Sequence, residues 1–384
     1  AASDVYKRQL VVRCDSSTAL NPGDRAVVRG KIYPFTARHG GYGRLMTRRG
    51  YVGTLYLNRS SLLLRDTLHR ELSPKHLSLF LHERAVARLD RLALAPDEQA
   101  LCNAMTAGDR RSLSPALRAA YSRSGTSHLL AVSGLHVGIV FLLANLLLWW
   151  LPLFRHGHIL RNIAVILLIW LYAATTGFPP SVVRAALMFS VLQFALASSS
   201  EYVGMNTLAG VAFVMLLFHP DYLFDISFQL SFIAVAGIIA WGLPLCRLLR
   251  TRRKSIDMLT ATLAIGFSAS AATAPLISHT FGQISVVGLA LNPVVILLSY
   301  VVVGSCTLWL VIPGTALAPL FSVVAGFAAR AQNELIRAAA ALPAAALDIR
   351  LTTTQCWSVY GLFIFATLLL WSAERKKSVS SLPE

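Results

Sequence analysis

Between Asp257 and Arg330 the sequence runs for 72 residues without one Asp, Glu, Lys or Arg. As helix that run would measure about 108 Å at 1.5 Å per residue, against a hydrocarbon core of about 30 Å, so it crosses a bilayer more than once. Apolar stretches of the same kind precede and follow it, and spans are expected at 128–152, 162–177, 180–198, 203–218, 226–245, 258–278, 285–312 and 356–373. Segment 315–342 is Ala-rich, but Arg330, Glu334 and Arg337 fall four and three residues apart on one face, which fits either the interface or a polar interior. The expected fold is a polytopic α-helical membrane protein of 8–9 transmembrane helices with a small, partial, OB-like β-barrel at its N-terminus.

The pattern before residue 126 is different. From Leu10 to Leu64, short β-type runs (LVVRC, RAVVRGKIYPF, YVGTLYL) are separated by turn chemistry such as Asn21-Pro22-Gly23-Asp24, and residues 25–31 read as one alternating strand. Three helices follow. Ser73-Pro74 opens the first, on which Arg84, Arg88 and Arg91 oppose Leu81, Leu89 and Leu92, as in a helix lying on a membrane surface. Pro96-Asp97-Glu98 opens the second, ended near Gly108, and Ser114-Pro115 the third, ended near Gly125. The domains are therefore expected at 10–68 (partial OB-like), 69–125 (amphipathic linker helices) and 126–374 (membrane channel).

Composition sharpens this division. Residues 1–125 hold 21 Lys and Arg and 10 Asp and Glu, while the other 259 positions hold 14 and 8. A single soluble enzyme is excluded. The basic residues Arg25, Arg29, Lys31, Arg38, Arg44, Arg48, Arg49 and Arg59, interleaved with Tyr33, Phe35, Tyr42, Tyr51 and Tyr56, suit either a solvated surface over an aromatic core or a groove for single-stranded nucleic acid. Five scattered cysteines without a C-x-x-C pair signal neither zinc nor disulfides, and no cofactor is expected. The opening stretch AASDVYKRQ begins without Met, and the chain is read as a fragment lacking its natural start. Arg155 and Arg161 in one loop and Arg247, Arg250, Arg252, Arg253 and Lys254 in another mark the cytoplasmic side. Loops Gly177–Pro180 and His219–Asp225 carry no Lys or Arg, which puts them, and the basic N-terminal module, outside. The ERKK tail at 374–377 is cytoplasmic if 315–342 spans and external if it does not.

Polar side chains within apolar spans are costly, so four clusters are the candidate site. SGTSHLLAVSGLHVG (124–138) places His128, Ser133 and His136 near Gly134 and Gly138, with Ser133 and His136 on one helical face. Such a pair serves either nucleophilic catalysis or hydrogen bonding between packed helices, and no acid in this span orients the imidazole. TGFPPSVVRAALM (176–188) contributes Arg184, either a phosphate contact or a snorkelling interface residue. LFDISFQLSF (223–232) contributes Asp225, Gln229 and Ser231, and SHTFGQISVVGLALNP (278–293) contributes His279, Gln283, Ser285 and Asn292, where Asn292-Pro293 implies a helix break.

In this order, SGTSHLLAVSGLHVGIV, TGFPPSVVRAALMF, HPDYLFDISFQLSFIAVAG and SHTFGQISVVGLALNPVVI resemble the membrane core of the ComEC family, inner-membrane channel proteins of bacterial natural transformation. The resemblance covers roughly 97–373, and residues 20–64 are similar, more loosely, to the later part of the family's external OB-type domain. It implies passage of one DNA strand across the bacterial cytoplasmic membrane, and partners comprising single-stranded DNA, the lipid bilayer, a DNA receptor and a cytoplasmic translocation motor. Assembly with further copies of the chain stays open. His128, Ser133, His136, Arg184, Asp225, Gln229, Ser231, His279 and Asn292 are the motif positions carried over, with no catalytic or metal role attached. Many members end in a metallo-β-lactamase-like domain; no H-x-H-x-D-H pattern occurs here, and no nuclease activity is expected of this chain. Two other readings are an intramembrane hydrolase or acyltransferase using Ser133 and His136, and a small-solute transporter centred on the break at Asn292-Pro293.

Overall fold

The computed structural model describes residues 9–14, 25–35, 43, 46–47, 51–66, 74–197, 204–285, 287–312, 318–342 and 346–380. The chain divides into two compact units, residues 1–81 with 219–221, and residues 82–218 with 222–384.

In the first unit β1 (Gln9–Cys14) runs parallel to β4 (Tyr51–Leu57), which pairs on its other edge with antiparallel β3 (Ile32–Pro34). A second, antiparallel ladder joins β2 (Arg25–Val28) and β5 (Leu62–Asp66). Alternation along β4 buries Gly53, Leu55 and Leu57 and leaves Tyr56 exposed, the period of two expected of a half-buried strand. The expected 25–31 strand is shorter than its pattern: it ends at Val28, and Arg29 N donates to Ser61 O instead. Gly30 lies so close to β4 that a Cβ there would sit 2.7 Å from Leu55 Cδ1.

Three helices follow as their punctuation predicts: α1 (Pro74–Leu89), α2 (Pro96–Thr106) and α3 (Pro115–Arg123), the last capped by Ser114 Oγ accepting from Leu117 N. The apolar helices are α4 (Gly134–Leu147), α5 (Gly157–Thr175), α6 (Pro180–Ala197), α7 (Gly204–Phe218), α8 (Ile226–Gly237), α9 (Leu243–Leu248), α10 (Lys254–Phe281), α11 (Val287–Val311), α12 (Ala318–Ala340) and α13 (Thr353–Ser380). A π turn at Ile238–Gly242 joins α8 to α9. Among the described residues five stretches are long and apolar enough to cross a membrane, Gly134–Leu153, Gly157–Thr175, Ile226–Leu248, Ile256–Phe281 and Ala290–Val311; Pro180–Ala195 and Gly204–Phe218 are apolar but shorter. The architecture is that of a helical membrane protein.

Two sequence expectations are corrected here. The first span begins at Gly134, not at 128: residues Ser127–Leu130 form a separate 3-10 turn whose Leu129 and Leu130 are apolar because they are buried in the bundle. Asn292-Pro293 does not break a helix, since α11 continues through Pro293 to Val311. Pro293 is only the seventh residue of α11, so the missing N–H frees a single carbonyl near the helix start and propagation beyond it is unimpeded.

One core joins α2, α3, Ile139 of α4, α11 and α12, with Leu101, Tyr121, Val302 and Ile336 fully enclosed. A second lies between α4, α5 and α6, around Val137, Ile169 and Val182, and a smaller one joins α7 and α8 at Val211, Met215 and Phe228. The ambiguous segment resolves into α12, packed along α11 through Ala325, Ala328 and Ala329. Its Arg330, Glu334 and Arg337 occupy the exposed face, whereas Gln332 and Asn333 are buried. Tyr121 OH donates to Asn333 Oδ1 at 3.0 Å and accepts from Gln332 Nε2 at 3.3 Å; Asn333 Nδ2 donates to Asp97 O, so α12 is pinned to α2 and α3 by directional bonds within an apolar core.

Candidate functional site

In the first unit, β1 and β4 pair with Arg13 opposite Tyr56, and β3 lays Tyr33 opposite Thr54. The result is a row of exposed side chains. Arg13 Cζ lies 5.9 Å from the Tyr56 ring centroid, Tyr56 and Tyr33 meet edge to face at 5.7 Å, and Lys31 Nζ lies 5.9 Å from the Tyr33 ring. Tyr56 is 54% and Tyr33 49% exposed, so the rings offer π faces to solvent with a cation at each end. Lys31, Tyr33 and Tyr56 were read from the sequence; Arg13 was not, because only the parallel pairing of β1 with β4 brings it there. Arg29 is exposed beside β2 and Arg25 stands opposite Asp66 in the β2–β5 register. Arg38, Tyr42, Arg44, Arg48 and Arg49 lie outside the described residues.

In the second unit the first motif is a turn followed by a helix cap. Ser133 is the N-cap of α4 and His136 its third residue, so the two side chains meet at the start of the helix. His136 Nδ1 accepts from the Ser133 backbone N–H at 2.9 Å, with Ser133 Oγ 3.2 Å from the same nitrogen. A backbone N–H can only donate, so Nδ1 is the acceptor and the neutral ring carries its proton on Nε2. That Nε2 is buried without a partner among the described residues. The nitrogen facing Ser133 is thus engaged by the cap, and no third group orients the ring from its far side, which is not the arrangement a nucleophilic serine needs. His128 is exposed in the 3-10 turn. Just before it, Gly125 adopts φ +73°, and a Cβ there would lie 2.4 Å from Ser285 Cβ; a Cβ on Gly288 would lie 2.9 Å from Ser124 O. These two glycines let the first and fourth motifs meet backbone to backbone.

Ser181 Oγ, in the first turn of α6, donates to Val132 O at 2.8 Å and ties the second motif to the first. One turn later Arg184 is 4% exposed, so its guanidinium does not snorkel to the surface. Its Cζ lies 5.5 Å from the centroid of Phe232 in the third motif; Nη1 is buried without a partner, and no ion pair involves this arginine among the described residues. A buried cation compensated mainly by one ring face is the most conspicuous polar group of the bundle.

The remaining motif residues have local structural work. Asp225 is the N-cap of α8, its Oδ1 accepting from Ser227 N at 2.8 Å and Phe228 N at 3.4 Å; Gln229 Nε2 donates to Leu223 O and holds the preceding turn, and Ser231 is half-buried beside Phe232. His279 Nδ1–H donates to Leu351 O at 3.0 Å and Ser278 Oγ to Ile349 O, clamping the end of α10 to the strand pair β6 (Ile284–Ser285) and β7 (Ala346–Leu347) and the chain just after it. Asn292 Oδ1, inside α11, is buried without a partner. Three predicted residues therefore retain unspent polar capacity in the interior: His136, Arg184 and Asn292. Tyr172 of α5 joins them, its hydroxyl buried and unpartnered among the described residues; the sequence hid it because a tyrosine late in an apolar helix reads as an interfacial anchor.

Comparison with known proteins is decided by one alignment: the family model described as "Competence protein" matches residues 105–376, a stretch that contains all four motifs. The chain belongs to the ComEC family of competence proteins. Within 204 residues it is 33% identical to ComE operon protein 3 of Bacillus subtilis (strain 168), covering 52% of this chain and 24% of that one. It is 29% identical over 201 residues to an uncharacterized protein of Aquifex aeolicus (strain VF5), covering 52% and 45%. The ComEC-family chain thus aligns with less than half the length of either curated relative. No solved structure matches it. Within the ComEC match, the caps at Ser133 and Asp225 and the clamp at His279 explain part of the motifs as architecture; Arg184, the charged one of the three motif residues with an unpartnered buried polar atom, is not explained that way.

Proposed function

We propose that this chain forms part of the conduit that passes one DNA strand across the cytoplasmic membrane during transformation, with the strand-bearing N-terminal unit on the outer side as its collector. Membership of the ComEC family supports a role in DNA uptake. The observation that carries the single-strand reading is the exposed row Arg13, Tyr56, Tyr33 and Lys31. Unpaired bases stack on aromatic rings at about 1–3 kcal/mol each, whereas a duplex keeps its bases turned inward; flanking cations meet the phosphates in either case. Further in, a conduit for a polyanion works with sparse positive charge, since a dense cationic ring would hold the strand rather than release it. Arg184 fits that demand as a lone cation. The strand's receptor and the motor that draws it inward are separate proteins, as the resemblance implies, and this chain supplies the passage.

The test is binding of fluorescent oligonucleotides to the purified full chain in detergent. Single strands are expected to bind more tightly than duplex of equal length, with affinity falling as salt rises, and Tyr33→Ala with Tyr56→Ala is expected to weaken single-strand binding at least tenfold, given two lost stacking surfaces. Equal affinity for duplex, or no change in the double variant, overturns the reading.

A further inference from the structure

The turn between α4 and α5 holds a feature that none of the motifs contains. At Gly157, the first residue of α5, a Cβ would lie 1.7 Å from Leu151 O, so only glycine lets the 3-10 turn Leu151–Leu153 fold back onto the helix start. Beside this contact is a cleft of about 580 Å³, lined chiefly by Trp150, Leu151, Phe154, Ile159, Leu160 and Ile163. Phe154 is 63%, Ile159 62% and Leu160 59% exposed, an apolar surface that water does not favour.

The chain bordering the cleft carries exposed basic residues. Arg155 stands between the lining residues Phe154 and His156, His158 between the lining residues Gly157 and Ile159, and Arg161 follows Leu160. The sequence has no Asp or Glu between Asp109 and Glu201, and no ion pair involves Arg155 or Arg161 among the described residues. Arg161 Nη2 donates to Asn145 Oδ1 and ties the start of α5 to α4. Trp149 and Trp150 next to the cleft are the residue type that settles at the headgroup level of a bilayer.

An apolar slot bordered in the chain by an exposed arginine without an ion pair among the described residues, and flanked by two tryptophans, is complementary to an amphiphile with an anionic head. We propose that the α4–α5 turn is a binding seat for an anionic phospholipid, with an acyl chain in the cleft and the phosphodiester at Arg155 and the ring N–H groups of His156 and His158. A zwitterionic lipid brings its own ammonium against Arg155 and is disfavoured. The proposal is independent of what the bundle transports.

The experiment is native mass spectrometry of the full chain, reconstituted with phosphatidylglycerol or with phosphatidylcholine of the same acyl chains, counting lipids retained after detergent release. Phosphatidylglycerol is expected to be retained in preference, and Arg155→Gln to lower its retention about fivefold, the worth of one basic residue at an anionic surface. Leu160→Trp, which fills the cleft, is expected to remove retained lipid of either head type. Thermal unfolding of each variant verifies that it is folded. Equal retention of the two lipids by the unaltered chain, or a phosphatidylglycerol preference that survives Arg155→Gln, overturns the proposal; either outcome leaves a cleft that is only part of the surface facing bulk lipid.

Discussion

Replacing Arg184 by Met separates a functional cation from a structural one. The side chain is 4% exposed, with Nη1 unpartnered and its charge facing the Phe232 ring at 5.5 Å. An unsatisfied buried donor costs about 1–3 kcal/mol, more for a charged group. A cation–π contact returns roughly 0.5–2 kcal/mol. The balance is against the arginine. Methionine has similar reach, fills the same space and packs on Phe232 through its thioether, so Arg184→Met is expected to leave stability unchanged or raise it by about 1–2 kcal/mol, in line with the gain often seen when buried charge is exchanged for apolar volume. For a unit of this size that corresponds to a rise of about 2–4 °C in Tm per kcal/mol. The same variant, introduced into the full-length gene of a competent strain, is expected to lower uptake of labelled DNA at least tenfold at equal membrane abundance. Thermal unfolding in detergent and the uptake assay are read together. If Tm falls by several degrees and uptake falls only as far as abundance does, Arg184 is a packing residue and the reasoning about a lone conduit cation is refuted; unchanged uptake refutes it as well.

Other expectations follow from the same geometry. Gly125→Ala combines φ +73° with a Cβ 2.4 Å from Ser285 Cβ and is expected to lower Tm markedly; adding Ser285→Gly is expected to recover the overlap but not the backbone cost of about 1 kcal/mol, so partial rescue in a thermal melt is the signature. Ser133→Ala removes the N-cap of α4 and is expected to cost about 0.5–2 kcal/mol while uptake per folded molecule is retained, whereas a nucleophilic role would abolish function outright. Asp109 is held below the usual carboxylate range by its hydrogen bonds to Arg111, at 2.9 Å through Nη2, so its contribution to stability is present above the unfolded pKa of about 3.9 and is lost as pH falls through the folded value. Hydrogen exchange of the 107–114 loop is expected to accelerate on acidification below about pH 4 in the parent chain, and Arg111→Ala, which removes the cause of the lowered pKa, to abolish that acid-dependent step.

Much of the architecture was open to inspection in one dimension. The run from Asp257 to Arg330 demands several helices whatever their packing, and Pro96, Pro115, Gly108 and Gly125 bound α2 and α3 because proline and glycine act locally. What was hidden depends on neighbours distant in sequence. The apolar residues Leu129 and Leu130 look like the start of a span, but burial in protein and burial in lipid select the same side chains. Arg184 reads equally as a phosphate contact or a snorkelling interface residue until α8 brings Phe232 over it. Ser133, Asp225 and His279 were legible as polar exceptions, but their tasks as caps and clamps required knowing where each helix begins and which carbonyl lies opposite. Arg13 and Tyr172 carried no signal of their own: one depends on a parallel strand pairing across some forty residues, the other on how closely α5 is enclosed.

The charged stripe of α12 bears on how the molecule is built during synthesis. A helix carrying Arg330, Glu334 and Arg337, the last paired with Asp97 of α2 only in the assembled bundle, is a poor candidate to partition into lipid by itself, since each arginine costs the translocon roughly 2.5–3.5 kcal/mol at mid-bilayer depth. Its alanine side has little apolar area with which to compensate. What receives it is a surface already made: α11, laid down immediately before, and the Asp97, Met105 and Tyr121 positions of helices translated more than two hundred residues earlier. Nascent α12 is therefore expected to wait for an assembled dock, so that its capture reports completion of the preceding bundle and a defect in α2 or α3 would surface late, as failure to retain α12 and the chain after it.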